Sequence, residues 1–451
     1  MNLESAYKNA LDYLYSFVDY SLTRNLTYSP EKFNLGRMAA LMDLLGNPQD
    51  NYAIIHVAGT KGKGSVSALI ESALRAAGHS TGFYTSPHLT DYTERIKMNG
   101  EAISRAELVE SVEKLKPEIA KIDQLSTFEI TTALGFLYFS QKKADIAVIE
   151  VGLGGRLDAT NVVNPTVSVI TSLSYDHMNV LGDTLTKIAG EKAGIIKSGR
   201  PVVTSPQKDE ALKVVVEIAR ERNSDCIQVG KDWVYAPVEH SLDGQTLDIW
   251  QAIDEKTIST PLRLSIPLLG LHQVDNAATA FAALVTARNA GIAVSNQDIQ
   301  KGFSEVFWPA RFEVLQKNPM LIIDSAHNRD SAMKLRMTLD DYLPDVPVVL
   351  LFGASEDKDI SGMFAELLPR VKAVVATQSI HPRAMNADKL VELAQRAGVP
   401  AYAETPVRNA LLKSMELADG EAAVVAAGSI FIAAAVRDVW MELNQNQALT
   451  N

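Results

Sequence analysis

Lysine, serine and three glycines crowd into one short stretch, His56-Val57-Ala58-Gly59-Thr60-Lys61-Gly62-Lys63-Gly64-Ser65. It follows an apolar run at residues 52–57 and precedes residues 65–77, where Val66, Leu69, Ile70, Ala73 and Leu74 recur at helical spacing. A Gly-rich turn between a strand and a helix can aim backbone N–H groups at an anion, and the helix dipole adds partial positive charge. Lys63 is placed to reach β/γ-phosphates, and the Ser65 hydroxyl to sit near Mg²⁺. Two further groups stand at strand ends. Glu150 closes the apolar run 145–151, where a carboxylate can hold Mg²⁺ on a nucleotide. His177, in Asp176-His177, follows the run 166–172 and is a candidate ligand.

The loop departs from G-x-x-x-x-G-K-[ST]: Val57 occupies the first Gly position, and Gly64 separates Lys63 from Ser65. A nucleoside-kinase or GTPase assignment on pattern alone therefore fails. A second Gly cluster, Gly152-Leu153-Gly154-Gly155, invites a dinucleotide reading. Leu157 stands at its third Gly position and residues 157–165 lack a helical pattern, so that reading is weak.

Positioning such groups takes a sheet. Runs at 52–57, 81–85, 145–151, 166–172 and 201–205 read as strands, and 105–121, 128–143, 184–198 and 209–223 as helices. That alternation implies an α/β domain with a mostly parallel sheet covered by helices. Between residues 225 and 267 the rhythm breaks into strand-like segments at 234–237, 247–253 and 262–266, with turns at Asp243-Gly244 and Asp254-Glu255, a small antiparallel patch. Helices at 273–290 and 296–306 follow. Trp308-Pro309 interrupts, and a second α/β rhythm begins. The expected organisation is a P-loop domain over 1–307 and a smaller Rossmann-like domain over 308–451, with a loose tail over 445–451.

The 451 residues carry 43 Lys plus Arg against 54 Asp plus Glu, a net charge of −11. This argues against a nucleic-acid or anionic-membrane binder. Apolar residues at 47% and charged residues at 22% are ordinary for a globular chain. Cys226 is the only cysteine, so no intramolecular disulfide or cysteine metal cage exists. The N-terminal stretch is amphipathic rather than a signal peptide, and no apolar run suffices for a membrane span. A cytoplasmic location is the expectation.

HVAGTKGKGSV, YTSPHLTDYTERIKMNG, FEITTALGF, EVGLGGRLDATN, SYDHMNVLGDTLTKIAGEKAGIIKSGRPVV, LGLHQVDNAATA, ARFEV and DSAHN occur in this order. The chain thereby resembles the folylpolyglutamate synthase and dihydrofolate synthase family of the Mur ligase superfamily, from about residue 30 to about residue 430. The resemblance implies ATP bound between two domains, and an amide ligase joining L-glutamate to a folate or to dihydropteroate.

It further implies that Gly59, Thr60, Lys61, Gly62, Lys63, Gly64 and Ser65 hold the phosphates. Ser86 and Glu150 would coordinate one Mg²⁺, and Glu150 with His177 a second. Lys192 matches the lysine that the superfamily carbamylates. Asn276 would lie near the adenine, Arg311 near the phosphates and Asp324 near the ribose. His327 would position glutamate or nucleotide, and His381 lies where glutamate is expected. The loop 84–100, with Pro87, His88, Tyr92, Arg95 and Lys97, is expected near the pterin. Lys61 stands where Asn is commonest, which adds a positive charge beside the triphosphate. Ser325 replaces the usual Gly of D-G-A-H-N. A monomer is expected.

The implied mechanism is attack of the substrate carboxylate on the γ-phosphate, then attack of the glutamate amine on the acyl phosphate. Alternatives are a Mur-type ligase acting on a nucleotide-linked cell-wall precursor, disfavoured because no separate nucleotide-sugar domain precedes the loop near residue 56, or a non-catalytic nucleotide-binding module. His56, His79 and His240 are expected to be structural or exposed, and the aromatics of 128–139 to be core.

Overall fold

The computed structural model describes residues 2–18, 34–252 and 260–450, with side chains to residue 445. The chain divides into two compact units. Unit 1 comprises residues 1–238, 246–266 and 274–306, and unit 2 residues 239–245, 267–273 and 307–451.

Unit 1 begins with helices α1 (Leu3–Tyr15) and α2 (Leu35–Leu44). Then come strand β1 (Ala53–Ala58), α3 (Lys63–Ala76), β2 (Thr81–Tyr84), β3 (Ile96–Met98) and β4 (Glu101–Ala102). They are followed by α4 (Arg105–Ile119), α5 (Thr127–Gln141), β5 (Ile146–Glu150) and β6 (Val167–Ile170). The next elements are α6 (Met178–Leu181), α7 (Leu185–Ala193), β7 (Val202–Thr204), α8 (Asp209–Glu221) and β8 (Cys226–Gln228). These strands form one sheet in the order β4-β3-β2-β5-β1-β6-β7-β8. From β2 to β8 along the sheet every pairing is parallel, and only the β2–β3 and β3–β4 pairings are antiparallel. Strands β1, β5 and β6 are buried along nearly their whole length, as continuous apolar runs require when helices cover both faces.

Strands β9 (Trp233–Ser241), β10 (Gly244–Gln251) and β11 (Leu262–Ile266) make a separate sheet in the order β11-β10-β9. This is the expected patch. Residue 253 and the expected turn at Asp254-Glu255 lie outside the described residues. Helices α9 (Leu271–Asn289) and α10 (Asn296–Ser304) follow.

Helix α5 shows how sequence fixes local structure. Ser126 and Glu129 form a capping box, with the Ser126 N–H donating to Glu129 Oε2 at 2.7 Å and the Glu129 N–H to Ser126 Oγ at 3.2 Å. Apolar residues on all sides then bury it, with Phe136 and Phe139 fully inside. Of the aromatics of 128–139, Phe136, Tyr138 and Phe139 are thus core, as expected, and Phe128 is partly buried against it.

Unit 2 holds β12 (Glu313–Lys317), β13 (Met320–Ile323), α11 (Arg329–Tyr342), β14 (Val348–Phe352) and α12 (Ile360–Leu367). It continues with β15 (Val371–Ala376), α13 (Ala387–Arg396), β16 (Ala401–Ala403), α14 (Val407–Ala418), β17 (Ala423–Ala427) and α15 (Ile430–Thr450). Its sheet order is β12-β13-β17-β14-β15-β16, parallel except for β12.

Several boundaries correct the sequence reading. The segment expected as one helix over 184–198 ends at Ala193, where Gly194 follows. The expected loop 84–100 contains a 3-10 turn at Tyr92–Arg95 and strand β3. The expected loose tail at 445–451 is helical to Thr450.

Candidate active site

The loop after β1 lies between the ends of β5 and β6, its two sheet neighbours. Val57 pairs with Glu150, and Ala58 with Ile170. Adjacent parallel strands therefore bring the phosphate loop, Glu150 and the segment leading to His177 to one sheet edge. Two glycines are obligatory there. Gly59 has φ +155, and a Cβ on it would meet Thr171 Oγ1 at 1.8 Å. Gly62 has φ +86 at the N-cap of α3, and its Cβ would meet Asn276 Oδ1 at 2.2 Å. Lys63, Gly64 and Ser65 form the first turn of α3, where the N–H groups have no intrahelical acceptor and can face an anion.

Thr60 and Lys61 behave differently from their expected role. Their N–H groups both donate to Ser172 O, at 3.0 and 3.1 Å. Thr60 Oγ1 donates to Ser174 O at 3.2 Å, and Lys61 Nζ pairs with Asp176 Oδ2 at 3.0 Å. The positive charge expected beside the triphosphate is thus matched inside the protein.

Lys192, on α7, is buried and donates from Nζ to Gly59 O at 2.8 Å. Burial, followed by the nearby Lys63 charge, lowers its pKa from the usual 10.5 to about 7. Glu150 is likewise buried, and the Ser86 N–H donates to its Oε2 at 3.3 Å. Ser86 and Glu150 are therefore brought together. His177 has a half-exposed side chain and left-handed backbone at φ 50. Its N–H donates to Asp176 Oδ1 at 3.0 Å.

Among the described residues no three His, Cys, Asp or Glu side chains gather into a metal-holding group. Mg²⁺ does not need such a group, since it is commonly held by one or two carboxylates, waters and substrate phosphates. A buried carboxylate at the phosphate-loop edge, with the Ser65 and Ser86 hydroxyl side chains on flanking segments, is a donor set that fits Mg²⁺.

In the loop after β2, Arg95 Nε donates to His88 Nδ1 at 2.9 Å, and the guanidinium lies 5.2 Å from the Tyr92 ring centre. Burial, then the Arg95 charge, lowers the His88 pKa to about 4, so the ring is a neutral acceptor at pH 7. Pro87 is exposed. Tyr92 corrects the expectation of a substrate contact: its ring is buried in the core and its hydroxyl bonds Thr131 Oγ1 at 2.5 Å. It supports the loop from beneath. Sequence reasoning missed Asp91, which accepts from Tyr7 Oη and Thr93 Oγ1 and pairs with Arg105. Its signal was the capping pattern Asp91-x-x-Glu94.

Of the three histidines expected to be structural, His56 is wholly buried against Thr160, His79 bonds Ala293 O, and the His240 ring lies 4.7 Å from that of Tyr342.

In unit 2, the Asp324 carboxylate accepts from Phe312 N at 2.8 Å and Ala326 N at 2.7 Å. Burial raises its pKa and the Arg311 charge opposes that rise. Arg311 Nη1 donates to Ser325 Oγ and to Ala310 O. The Ser325 side chain thus braces this loop. His327 Nδ1 bonds Ser325 O at 2.9 Å, one residue before the Asn328 N-cap of α11. His381 stacks on Phe431, centroids 4.6 Å apart.

The parallel sheet with its strand–Gly-loop–helix turn and the second α/β unit correspond to the two matched domains of a Mur-type ligase. Residues 57–284 match the Mur ligase middle domain, and residues 310–430 the Mur ligase glutamate ligase domain. The chain is 36% identical over 433 residues to the dihydrofolate synthase/folylpolyglutamate synthase of Bacillus subtilis, covering 93% of this chain and 99% of that one. It is 35% identical over 408 residues to the folylpolyglutamate synthase of Lacticaseibacillus casei, covering 89% and 93%. The solved Mycobacterium tuberculosis folylpolyglutamate synthase complexed with ADP superposes with a TM-score of 0.86 at 31% identity, over 97% of this chain and 99% of that one. The chain belongs to the dihydrofolate synthase/folylpolyglutamate synthase family of ATP-dependent ligases.

Proposed function

We propose that this chain joins the amino group of L-glutamate to a carboxylate of dihydropteroate, of a folate, or of both, converting ATP to ADP and phosphate. The observation that carries this reading is the cradle of Gly59, Gly62 and the first turn of α3, set at one sheet edge with buried Glu150 and Lys192. Relatives spanning nearly the whole chain bear the same two activities in their names.

A carboxylate oxygen of the pterin substrate attacks the γ-phosphorus, and the bond to the β-phosphate oxygen breaks, releasing ADP. The glutamate amine, having lost its proton, attacks the acyl carbon, and inorganic phosphate leaves with the C–O electron pair. Phosphoryl transfer of this kind needs alignment and charge neutralisation rather than a nucleophilic side chain. Lys63 and the α3 N-terminus supply fixed positive potential at the phosphates. Glu150, Ser86, Ser65 and His177 would hold Mg²⁺, which supplies Lewis-acid neutralisation of phosphate oxygens.

The role proposed for Lys192 is carbamylation. A neutral amine adds to CO₂ and releases one proton, turning a cation into an anion. A lysine with a pKa near 7 offers the neutral form at physiological pH. Asn276, beside Gly62, is assigned to the nucleotide, and Pro87, His88 and Arg95 to the pterin. In unit 2, His327 and His381 are assigned to L-glutamate, while Arg311 and Asp324 keep the nucleotide contacts implied by resemblance. A cytoplasmic location belongs to the same reading, supported by the single cysteine.

The deciding experiment is ADP release with dihydropteroate, tetrahydrofolate or neither, each with and without L-glutamate. Release should require both a pterin carboxylate and glutamate. Equal release without a pterin acceptor would overturn the reading. The acceptor that works separates the two named activities.

A further inference from the structure

Four contacts join the first half of the phosphate loop to the segment after β6. The N–H groups of Thr60 and Lys61 donate to Ser172 O, Thr60 Oγ1 donates to Ser174 O, and Lys61 Nζ pairs with Asp176 Oδ2. The last is the only one of the four that depends on a charged side chain. The Asp176 carboxylate is bifunctional: Oδ2 receives Lys61, and Oδ1 receives the His177 N–H at 3.0 Å. A continuous path thus runs from the phosphate loop, through one carboxylate, to the backbone of His177.

We propose that Lys61 and Asp176 are a positioning pair, fastening the phosphate loop to the segment that carries His177 so that the two keep one geometry. Lys61 then serves Asp176 rather than the nucleotide. This deepens the ATP-ligase reading, and its kinetic arm rests on that reading.

Three features carry the inference. Both side chains are only 15% exposed, so water screens the pair weakly and removing one partner leaves a poorly solvated charge. The segment needs an anchor, because residues 171–176 form no regular element and α6 is only four residues long. His177 itself holds a left-handed φ of 50, a conformation that a non-glycine residue keeps only when its surroundings fix it.

The test compares Lys61→Met, Asp176→Asn, the double variant and Lys61→Arg in the full chain. Hydrogen exchange reads the segment directly and needs no activity. The N–H groups of Val180 and Leu181, which donate to His177 O at 2.8 and 2.9 Å, together with that of His177, are the reporters. They should exchange roughly tenfold faster or more in both single variants. The kcat should fall by about 10- to 100-fold, as expected when a group is misplaced without being removed. The KM for ATP should change by less than about threefold, since uniform binding is untouched. The double variant should match the worse single variant, and Lys61→Arg should recover most of both readouts.

A raised KM for ATP with kcat and exchange unchanged would make Lys61 a phosphate ligand and overturn the proposal. Additive losses in the double variant would also overturn it. If the chain proved not to be an ATP ligase at all, the exchange measurements would still decide the pairing.

Discussion

Lys192 Nζ donates to the carbonyl oxygen of Gly59 across 2.8 Å, tying helix α7 to the first residue of the phosphate loop. The contact buries an amine beside other cations. Desolvation comes first in lowering its pKa to about 7, with the Lys63 charge next. The same burial that lowers the pKa holds the amine against the glycine loop.

Activity should therefore rise with pH through about 7, as Lys192 loses its proton and can form the carbamate. Below that pH the amine is protonated and inert toward CO₂; above it the neutral amine predominates. Removing dissolved CO₂ should lower kcat more at pH 8 than at pH 6.5, and ¹³C-labelled CO₂ should give a carbamate signal that Lys192→Ala abolishes. A short added carboxylate should restore part of the Lys192→Ala activity. Absence of both the signal and the rescue would leave Lys192 as an ordinary cation.

Gly62→Ala should raise the KM for ATP by roughly tenfold or more, since the side chain must occupy a left-handed φ and meets Asn276 Oδ1 at 2.2 Å. Adding Asn276→Ala removes the collision but leaves the backbone strain and takes away a side chain assigned to the nucleotide, so the KM should stay above that of the parent. Steady-state kinetics on both variants check this. A Gly62→Ala enzyme with unchanged KM would mean the loop does not need this turn.

Glu150→Gln keeps an oxygen to accept from the Ser86 N–H and removes the charge. The thermal midpoint should stay near that of the parent, while turnover falls on the order of 10²-fold and the Mg²⁺ requirement rises. Titrating Mg²⁺ against ADP binding gives a second readout. An unchanged Mg²⁺ dependence would remove Glu150 from the metal site.

His56 should make the protein acid-sensitive. Its pKa is lowered to about 3, by burial and then by Lys197. Thr160 Oγ1 gives its proton to Asp158 Oδ1 at 2.6 Å, so it accepts from His56 Nε2, and Nδ1 stays bare. In the unfolded chain the imidazole takes a proton below its ordinary pKa of 6.5, while in the folded chain it does not until about pH 3. Stability is thus lost as pH falls from 6.5 toward 3, at up to about 1.4 kcal/mol per pH unit. Urea unfolding of parent and His56→Gln at pH 7, 6 and 5 should show a shallower decline in the variant. Parallel declines would show that His56 is not the source.

The contrast between Lys63 and Lys61 shows how much of the site was legible in sequence. The place of Lys63 in the first turn of α3 follows from the strand–glycine–helix pattern alone, because backbone geometry fixes where a first-turn residue lies. Lys61, two positions earlier in the same motif, looks equally suited to phosphates. Its partner Asp176 is distant in the chain, and only the pairing of β1 with β6 brings the two together. Tyr92 makes the same point. A tyrosine in a polar loop reads as a ligand contact, yet Thr131 on α5 draws its hydroxyl inward.

Local periodicity and glycine placement determined the central strands, most of the helices, the Gly-rich loop and the family motifs, since these depend on neighbours within a few residues. Long-range register decided the rest. It set the interleaving of residues 239–245 and 267–273 with unit 2, the neutralisation of Lys61, the burial of Lys192 and the bracing of Ser325 by Arg311. Each depends on what another part of the chain places beside the residue, because charge and solvation are properties of a position in space.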